Sequence, residues 1–135
     1  MKKAILVKKA LSQKFNKIAF GHHLDDAIET LFMNFLNAGK IETFKPITYL
    51  SHNKIYLIRP FIFTKEREIV AFSKKQKLPI VINKCPNNDT TQRFFMKQFL
   101  KKTFYHNKIW PNGYKSITRA IKEKIIESAK TKPST

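Results

Sequence analysis

The 135-residue chain is poor in cysteine, glycine and acidic residues. Its one cysteine, Cys85, excludes a disulfide within the chain. Its three glycines are never adjacent, so these residues contain no glycine-rich phosphate-binding loop. No apolar run reaches the ~20 residues of a membrane-spanning helix, and no stretch resembles a signal peptide. We therefore expect a cytoplasmic protein without a membrane partner.

Positive charge dominates what is present. Lysine and arginine total 27 against 9 acidic residues, which gives a formal net charge of +18. Such an excess favours an anionic partner, such as nucleic acid or a nucleotide, over a membrane surface. Lysines spread along a chain also form ordinary solvated surface, so charge alone leaves both interpretations open. The apolar fraction of 42%, with 12 phenylalanines, is enough for the core of one domain.

Hydrophobic spacing predicts helices that alternate with strands. Helices are expected over 2–15, 24–38, 64–75, from Asp89 to about 104, and over 114–129. Strands are expected over 17–20, 44–50, 55–58 and 79–82. Thr64 and Asp89 are the predicted N-terminal caps of the helices that follow them. This order predicts an α/β fold, a parallel sheet with flanking helices, and the first helix implies a strand before it.

Titratable residues gather where the first predicted strand meets the second helix. Gly21 and His22 follow the strand, and Asp25, Asp26 and Glu29 lie in the first turns of the helix. Ligands of open α/β sheets bind at such strand ends, and clustered carboxylates can hold Mg²⁺ beside nucleotide phosphates. Acidic residues at a helix start equally complement the helix dipole. The residues alone leave both interpretations open.

Other segments carry candidate site chemistry. Cys85, in a polar loop before a helix, is a candidate nucleophile or metal ligand, or an incidental loop residue. Arg59, at a strand end, suits a phosphate or an ordinary surface pair. Basic residues interleaved with aromatics up to Trp110 are compatible with an RNA backbone track, although helical spacing assigns most of the aromatics to the core. The candidate RNA contacts are Arg93, Lys97, Lys101 and Lys102.

The stretch Gly21–Leu31, GHHLDDAIETL, resembles the Gly-His-His-x-Asp-Asp segment of PP-loop ATP pyrophosphatases, in particular the tRNA 2-thiocytidine biosynthesis family. Further matches follow in order and cover residues 2–105. They are the basic helix 2–11, Phe35–Lys40, Ile58–Phe61, Glu68–Ile69 with Leu78–Ile80, and Cys85–Pro86 with Gln92–Arg93. The tRNA-lysidine synthetases carry a similar His-x-x-Asp-Asp segment and are the alternative. The second histidine and the Cys85 element favour thiolation.

The resemblance implies a partial Rossmann-like domain over 1–108, followed by a C-terminal helix and tail over 109–135. It implies that a tRNA cytidine is adenylated with Mg-ATP and that sulfur from a donor then replaces the activated oxygen. The implied ATP- and Mg²⁺-binding residues are Gly21, His22, Asp25, Asp26 and Arg59, of which His22, Asp25 and Asp26 are catalytic. Cys85 would supply one thiolate of a [4Fe-4S] cluster.

Two elements of that family do not occur in these residues: the Ser-Gly-Gly-x-Asp-Ser phosphate loop and a Cys-x-x-Cys pair. We therefore expect the chain to correspond to the C-terminal portion of such an enzyme and to be inactive alone. A separate N-terminal portion or a homo-oligomer would complete it. Cys85 alone cannot build a [4Fe-4S] cluster. A non-catalytic RNA-binding module and a gene remnant remain alternatives.

Overall fold

The computed structural model describes residues 2–82, 91–105 and 107–131. These residues form five helices and three strands around a small sheet. The helices are α1 (Lys2–Ser12), α2 (Leu24–Ala38), α3 (Glu66–Lys75), α4 (Gln92–Thr103) and α5 (Gly113–Ala129). The strands are β1 (Lys17–Ala19), β2 (Ile47–Leu50) and β3 (Ile55–Ile58). The predicted α/β class is therefore confirmed.

The sheet has the order β1-β3-β2 and contains both kinds of strand pairing. β1 runs parallel to β3, with Ile18 opposite Leu57. β2 and β3 form an antiparallel hairpin through a turn at 51–54, with Tyr49 opposite Tyr56. β1 and β2 are the two edges of the sheet within the described residues. The sheet predicted to be parallel is therefore mixed, and β1 with β3 is the parallel pair within the described residues.

The sheet is covered on one face by α1. Alternate residues of a strand point to opposite faces, so Ile18, Ile55 and Leu57 share one side. Val7 and Ala10 of α1 pack against Ile55 and Ile18 there. The opposite face is open to solvent, with Ile47 45% and Tyr56 37% exposed and the rings of Tyr49 and Tyr56 4.7 Å apart.

A second, larger core lies among the helices. The amphipathic α2 buries Leu24, Ala27 and Ile28. Its partners come from the segment before α3 and from α4 and α5: Ile62, Met96, Leu100, Ile121 and Ile125. α2 ends at Gly39, whose φ of +64° is the left-handed conformation that glycine adopts without strain. The boundary at residue 108 stays a prediction, although α5 contributes to the same core as α2.

Several boundaries differ from prediction. Residues 79–82 are not a strand, and their apolar side chains are exposed, Val81 by 91%. A β-branched run forms a strand only where a neighbouring strand pairs with it, and none in the described part of the chain does. Thr64 is not a cap, because α3 begins after Lys65, whose amide donates to Glu68 Oε2. Asp89 lies outside the described residues, and Thr91 Oγ1 caps α4.

Gly113 provides a test of the packing between α4 and α5. A Cβ at this position would lie 2.2 Å from the backbone carbonyl oxygen of Phe104, whereas one at Gly21 would meet nothing within 4 Å. We expect Gly113→Ala to lower the free energy of unfolding by about 2–3 kcal/mol, because backbone must shift to relieve the overlap. Gly21→Ala, the control, should change it by less than about 0.5 kcal/mol. Equal urea midpoints for the two variants would contradict this packing.

Candidate functional site

His22 and Arg59 meet at the carboxyl ends of two strands of the sheet. β1 and β3 are parallel neighbours, so their carboxyl ends lie together, and these two residues follow the strands. Arg59 Nε donates to His22 Nδ1 at 3.3 Å, and Arg59 Nη1 donates to the carbonyl oxygen of Lys45 at 2.7 Å. The structure therefore brings together two residues that the sequence predicted to bind nucleotide.

Aromatic rings hold this pair in place. The His22 ring stacks on Phe44 at 4.5 Å and on Phe20 at 5.4 Å between centroids, and the Arg59 guanidinium lies 4.9 Å from the Phe44 centroid. Burial, and then the positive charge of Arg59, lowers the pKa of His22 below its ordinary 6.5. Because Nδ1 accepts a hydrogen bond, the neutral ring carries its proton on Nε2. His22 is thus a fixed neutral donor.

Asp25 joins three helices through its carboxylate. It lies in the first turn of α2, and its Oδ2 accepts from the backbone N–H of Glu66 at 2.7 Å, at the start of α3. Its Oδ1 accepts from the hydroxyl of Tyr114 in α5 at 3.0 Å. Burial, then the Asp25 charge, raises the pKa of Tyr114, so the phenol stays protonated and donates. Both oxygens of Asp25 therefore already have partners within the chain.

Asp26 caps its own helix. Its Oδ2 accepts from the backbone N–H of His23 at 3.0 Å, and its backbone N–H donates to His23 Nδ1 at 3.3 Å. This reciprocal capping box fixes the start of α2. Arg93 of α4 donates to the Asp26 carbonyl oxygen at 3.3 Å and to Thr30 Oγ1 at 2.8 Å, with Asp26 Oδ1 3.9 Å away. Arg93 thus attaches α4 to the motif.

A half-buried charged cluster lies behind these residues. Lys97 Nζ pairs with Glu66 Oε1 at 2.7 Å. Burial disfavours both charges, but the ion pair outweighs it. The pKa of Glu66 is therefore lowered and that of Lys97 is raised. Glu29 is 4% exposed, and its Oε2 has no hydrogen-bond partner. Burial, then the Asp26 charge, raises the pKa of Glu29 to about 7. The cluster therefore contains a carboxyl group that titrates near neutrality.

These contacts bear on the metals that the resemblance implies. Each Asp25 oxygen accepts one hydrogen bond and keeps a further lone pair, so these contacts leave the predicted Mg²⁺-binding role of Asp25 a prediction. No three His, Cys, Asp or Glu side chains within 2–82, 91–105 and 107–131 are grouped to hold a metal ion. Cys85 lies outside the described residues, and a single cysteine does not fit a [4Fe-4S] cluster.

The candidate RNA contacts divide into two groups. Arg93 and Lys97 make the internal contacts given above, whereas Lys101 and Lys102 are exposed at the end of α4. Their RNA-binding role stays a prediction. Sequence reasoning missed His23 as a cap and Tyr114 as a partner of Asp25. A Gly-His-His run gives no capping signal, and 89 residues separate Tyr114 from Asp25, so no local spacing could have connected them.

Comparison with known proteins identifies the family. Residues 2–104 match the PP-loop domain. The chain belongs to the PP-loop family. Its relatives include the tRNA-cytidine(32) 2-sulfurtransferases of Geobacter metallireducens and Geobacter sulfurreducens, each 33% identical over 123 residues. The enzyme of the same name from Idiomarina loihiensis is 36% identical over 101 residues. The predicted family is thus confirmed.

The match covers much of this PP-loop chain but a smaller share of its relatives. The aligned part is 90% of this chain and 47% of each Geobacter protein, and 74% of this chain and 34% of the Idiomarina protein. A solved U34-tRNA thiolase, NcsA from Methanococcus maripaludis with its [4Fe-4S] cluster, superposes with a TM-score of 0.67. It is 20% identical and covers 93% of this chain and 41% of its own, so it supports the fold alone. No helix in the described residues of this PP-loop chain is long and apolar enough to cross a bilayer.

Tyr114 should contribute to the stability of this PP-loop domain through Asp25. We expect Tyr114→Phe to lower the free energy of unfolding by about 1–2 kcal/mol, because the carboxylate loses a hydroxyl donor. Asp25→Ala should cost more, since the first amide of α3 then also loses its acceptor. Tyr56→Phe, which removes an exposed hydroxyl, is the control and should be neutral. Urea titration measures all three, and equal effects of the two tyrosine variants would refute the role of Tyr114.

Glu29 should make stability depend on pH. Its pKa is about 7 in the folded chain and 4.5 when unfolded, so the folded state binds the extra proton between these values. Stability should therefore fall as pH rises from 4.5 to 7, by up to about 3 kcal/mol. Glu29→Gln should remove this fall and be the more stable protein at pH 8. Glu42→Gln, which changes an exposed acid, is the control and should keep the fall in stability. Urea midpoints that change identically in both variants from pH 5 to 8 would contradict the assignment of this fall to Glu29.

Proposed function

We propose that this PP-loop chain takes part in the ATP-dependent thiolation of a tRNA cytidine. The observation that carries the proposal is the Gly-His-His-x-Asp-Asp segment at the carboxyl end of β1, inside a match to the PP-loop domain over residues 2–104. The named activity of the sequence relatives, 2-thiolation of a tRNA cytidine, supports the choice of substrate. In this chemistry the cytidine carbonyl oxygen attacks the α-phosphate of ATP and pyrophosphate leaves. A sulfur nucleophile from a donor then displaces AMP.

The structure supports different roles for the motif residues. Gly21 is exposed and open on its side-chain face, so ATP can approach its backbone closely. At the carboxyl ends of β1 and β3, His22 offers phosphate oxygens a neutral donor through its Nε2 proton. Arg59 offers them a charged donor through its guanidinium. Asp25 and Asp26 act as positioning residues that anchor α2 beneath them. Mg²⁺ would enter bound to the ATP phosphates, with the remaining lone pairs of Asp25 and Asp26 as candidate ligands.

Activity would require groups that these residues do not contain. The phosphate loop and the Cys-x-x-Cys pair are absent from the 135 residues, so a further polypeptide segment would provide them. We place the reaction in the cytoplasm, where tRNA and ATP meet. The chain would contribute one wall of the nucleotide site and part of the tRNA surface.

Release of AMP tests this function. The full 135-residue chain is incubated with labelled ATP, tRNA and sulfide, alone and with a polypeptide that carries the Ser-Gly-Gly-x-Asp-Ser loop and the Cys-x-x-Cys pair. We expect tRNA-dependent AMP and thiolated cytidine only in the combination. His22→Ala should lower the rate at least about 10-fold, because an aligned donor to the transition state is lost.

His52 supplies the matched control, since it is an exposed histidine in the turn between β2 and β3. His52→Ala should retain the rate of the unchanged chain. An absence of AMP from every combination would refute the function, and equal loss in the two histidine variants would refute the role of His22.

A non-catalytic RNA-binding function is the second candidate. It is favoured by the structural hydrogen bonds that Asp25 makes to α3 and α5 and by the net charge of +18. It predicts salt-dependent tRNA binding by the chain with no effect of ATP and no AMP in any combination. The same incubation therefore separates the two candidates.

A further inference from the structure

Basic side chains converge on a groove beside α5. The groove encloses about 510 Å³. Its lining includes four cations, Lys65, Lys115, Arg119 and Lys122, and one acidic residue, Glu123. We call this surface the basic groove; it is distinct from the strand-end site of His22 and Arg59.

Helix geometry explains the convergence. Lys115, Arg119 and Lys122 are spaced four and three residues apart, which places them along one face of α5. Lys65 joins them from the segment before α3, with its ammonium 5.7 Å from the centroid of the Tyr114 ring. The Arg67 guanidinium lies 5.4 Å from the same centroid. The cations thus form a line along α5. The helix dipole adds positive potential at the N-terminal end of this line.

An aromatic hollow adjoins the basic groove. It encloses about 530 Å³. Its lining includes the aromatic residues Phe32, Phe104 and Trp110 and the polar residues Asn112 and Ser116. Asn112 and Ser116 belong to both surfaces, so the hollow opens directly beside the cations. Trp110 is 55% exposed despite its size. An exposed indole next to a line of cations is the arrangement with which proteins bind unpaired bases and the phosphates between them.

We propose that the basic groove and the aromatic hollow together bind a single-stranded RNA loop. Lys65, Lys115, Arg119 and Lys122 contact successive phosphates, and one unpaired base stacks on Trp110 in the hollow. Asn112 and Ser116 lie between the two surfaces, where they can donate to the sugar or base edge. The proposal rests on the proposed function and deepens it, since it assigns the loop of the tRNA to α5 and not to α4. A duplex cannot place a stacked base in the hollow, so the site selects unpaired RNA.

Fluorescence gives a direct test because Trp110 is the only tryptophan of the chain. The probes are an RNA hairpin with a tRNA anticodon loop and a blunt RNA duplex of equal length and charge. We expect the hairpin to quench the emission of Trp110 and the duplex to leave it unchanged. Trp110→Ala should weaken hairpin binding about 10- to 100-fold without changing its salt dependence, because stacking is lost but every cation remains.

Matched charge variants test the basic groove. The variant Lys115→Gln/Arg119→Gln/Lys122→Gln removes three charges from α5, and Lys74→Gln/Lys75→Gln/Lys77→Gln removes three from the exposed end of α3. For the first, we expect the slope of log affinity against log salt to fall by about 2, given roughly 0.7 for each lost phosphate contact. The control should change the slope by less than about 0.7. Unchanged circular dichroism melts establish that both variants fold.

The outcomes separate this proposal from the proposed function. Equal losses in the two charge variants, or equal quenching by hairpin and duplex, would overturn the RNA site while AMP release stays intact. Binding of anionic phospholipid vesicles at the same affinity as the hairpin would overturn it as well. A groove variant that loses hairpin binding while the combination releases no AMP would support the site and refute the thiolation reaction.

Discussion

The carboxylate of Asp25 is the contact on which the arrangement of the helices depends. It lies in the first turn of α2, closes the first turn of α3 and receives the phenol of Tyr114 from α5. Apolar packing among Ile28, Leu100 and Ile125 brings α2, α4 and α5 together, but such packing is not directional. The carboxylate adds direction, because two donors from distant segments must meet one rigid group. The motif therefore organises the fold as well as the site.

The residues of the family motif make two different kinds of contact in the protein. His22 and Arg59 present donors at the strand ends, whereas the carboxylates of Asp25 and Asp26 accept hydrogen bonds from donors at helix starts. This difference in contacts follows from position in the chain. His22 precedes α2 and lies at the carboxyl end of β1, while the two acids are inside the first turn of α2. There, backbone amides of a helix start are the nearest donors. The same pair of acids then supports the site from beneath.

The sequence predicted the regular elements well and the contacts between them poorly. The apolar spacing in 24–38 and the glycine after it define α2 with its observed bounds, because that information is local. The prediction of a strand at 79–82 was wrong, since a strand needs a partner that the β-branched residues 80–82 do not reveal. The meeting of His22 with Arg59 could be foreseen from parallel strand ends. The bonds from Asp25 to Tyr114 and from Arg93 to Thr30 could not, because they join helices far apart in sequence.

The position of β1 has a consequence for assembly. Within the described residues β1 pairs with β3 on one side only, so its other side presents backbone donors and acceptors in register. Any extended segment that reaches this edge competes for the same backbone groups. Which segment pairs with β1 depends more on its effective concentration at the edge than on its side chains. A segment held nearby would occupy the edge even if its intrinsic affinity were weak. In dilute solution the edge of β1 would stay hydrated. In concentrated solution, identical chains would compete to pair with it.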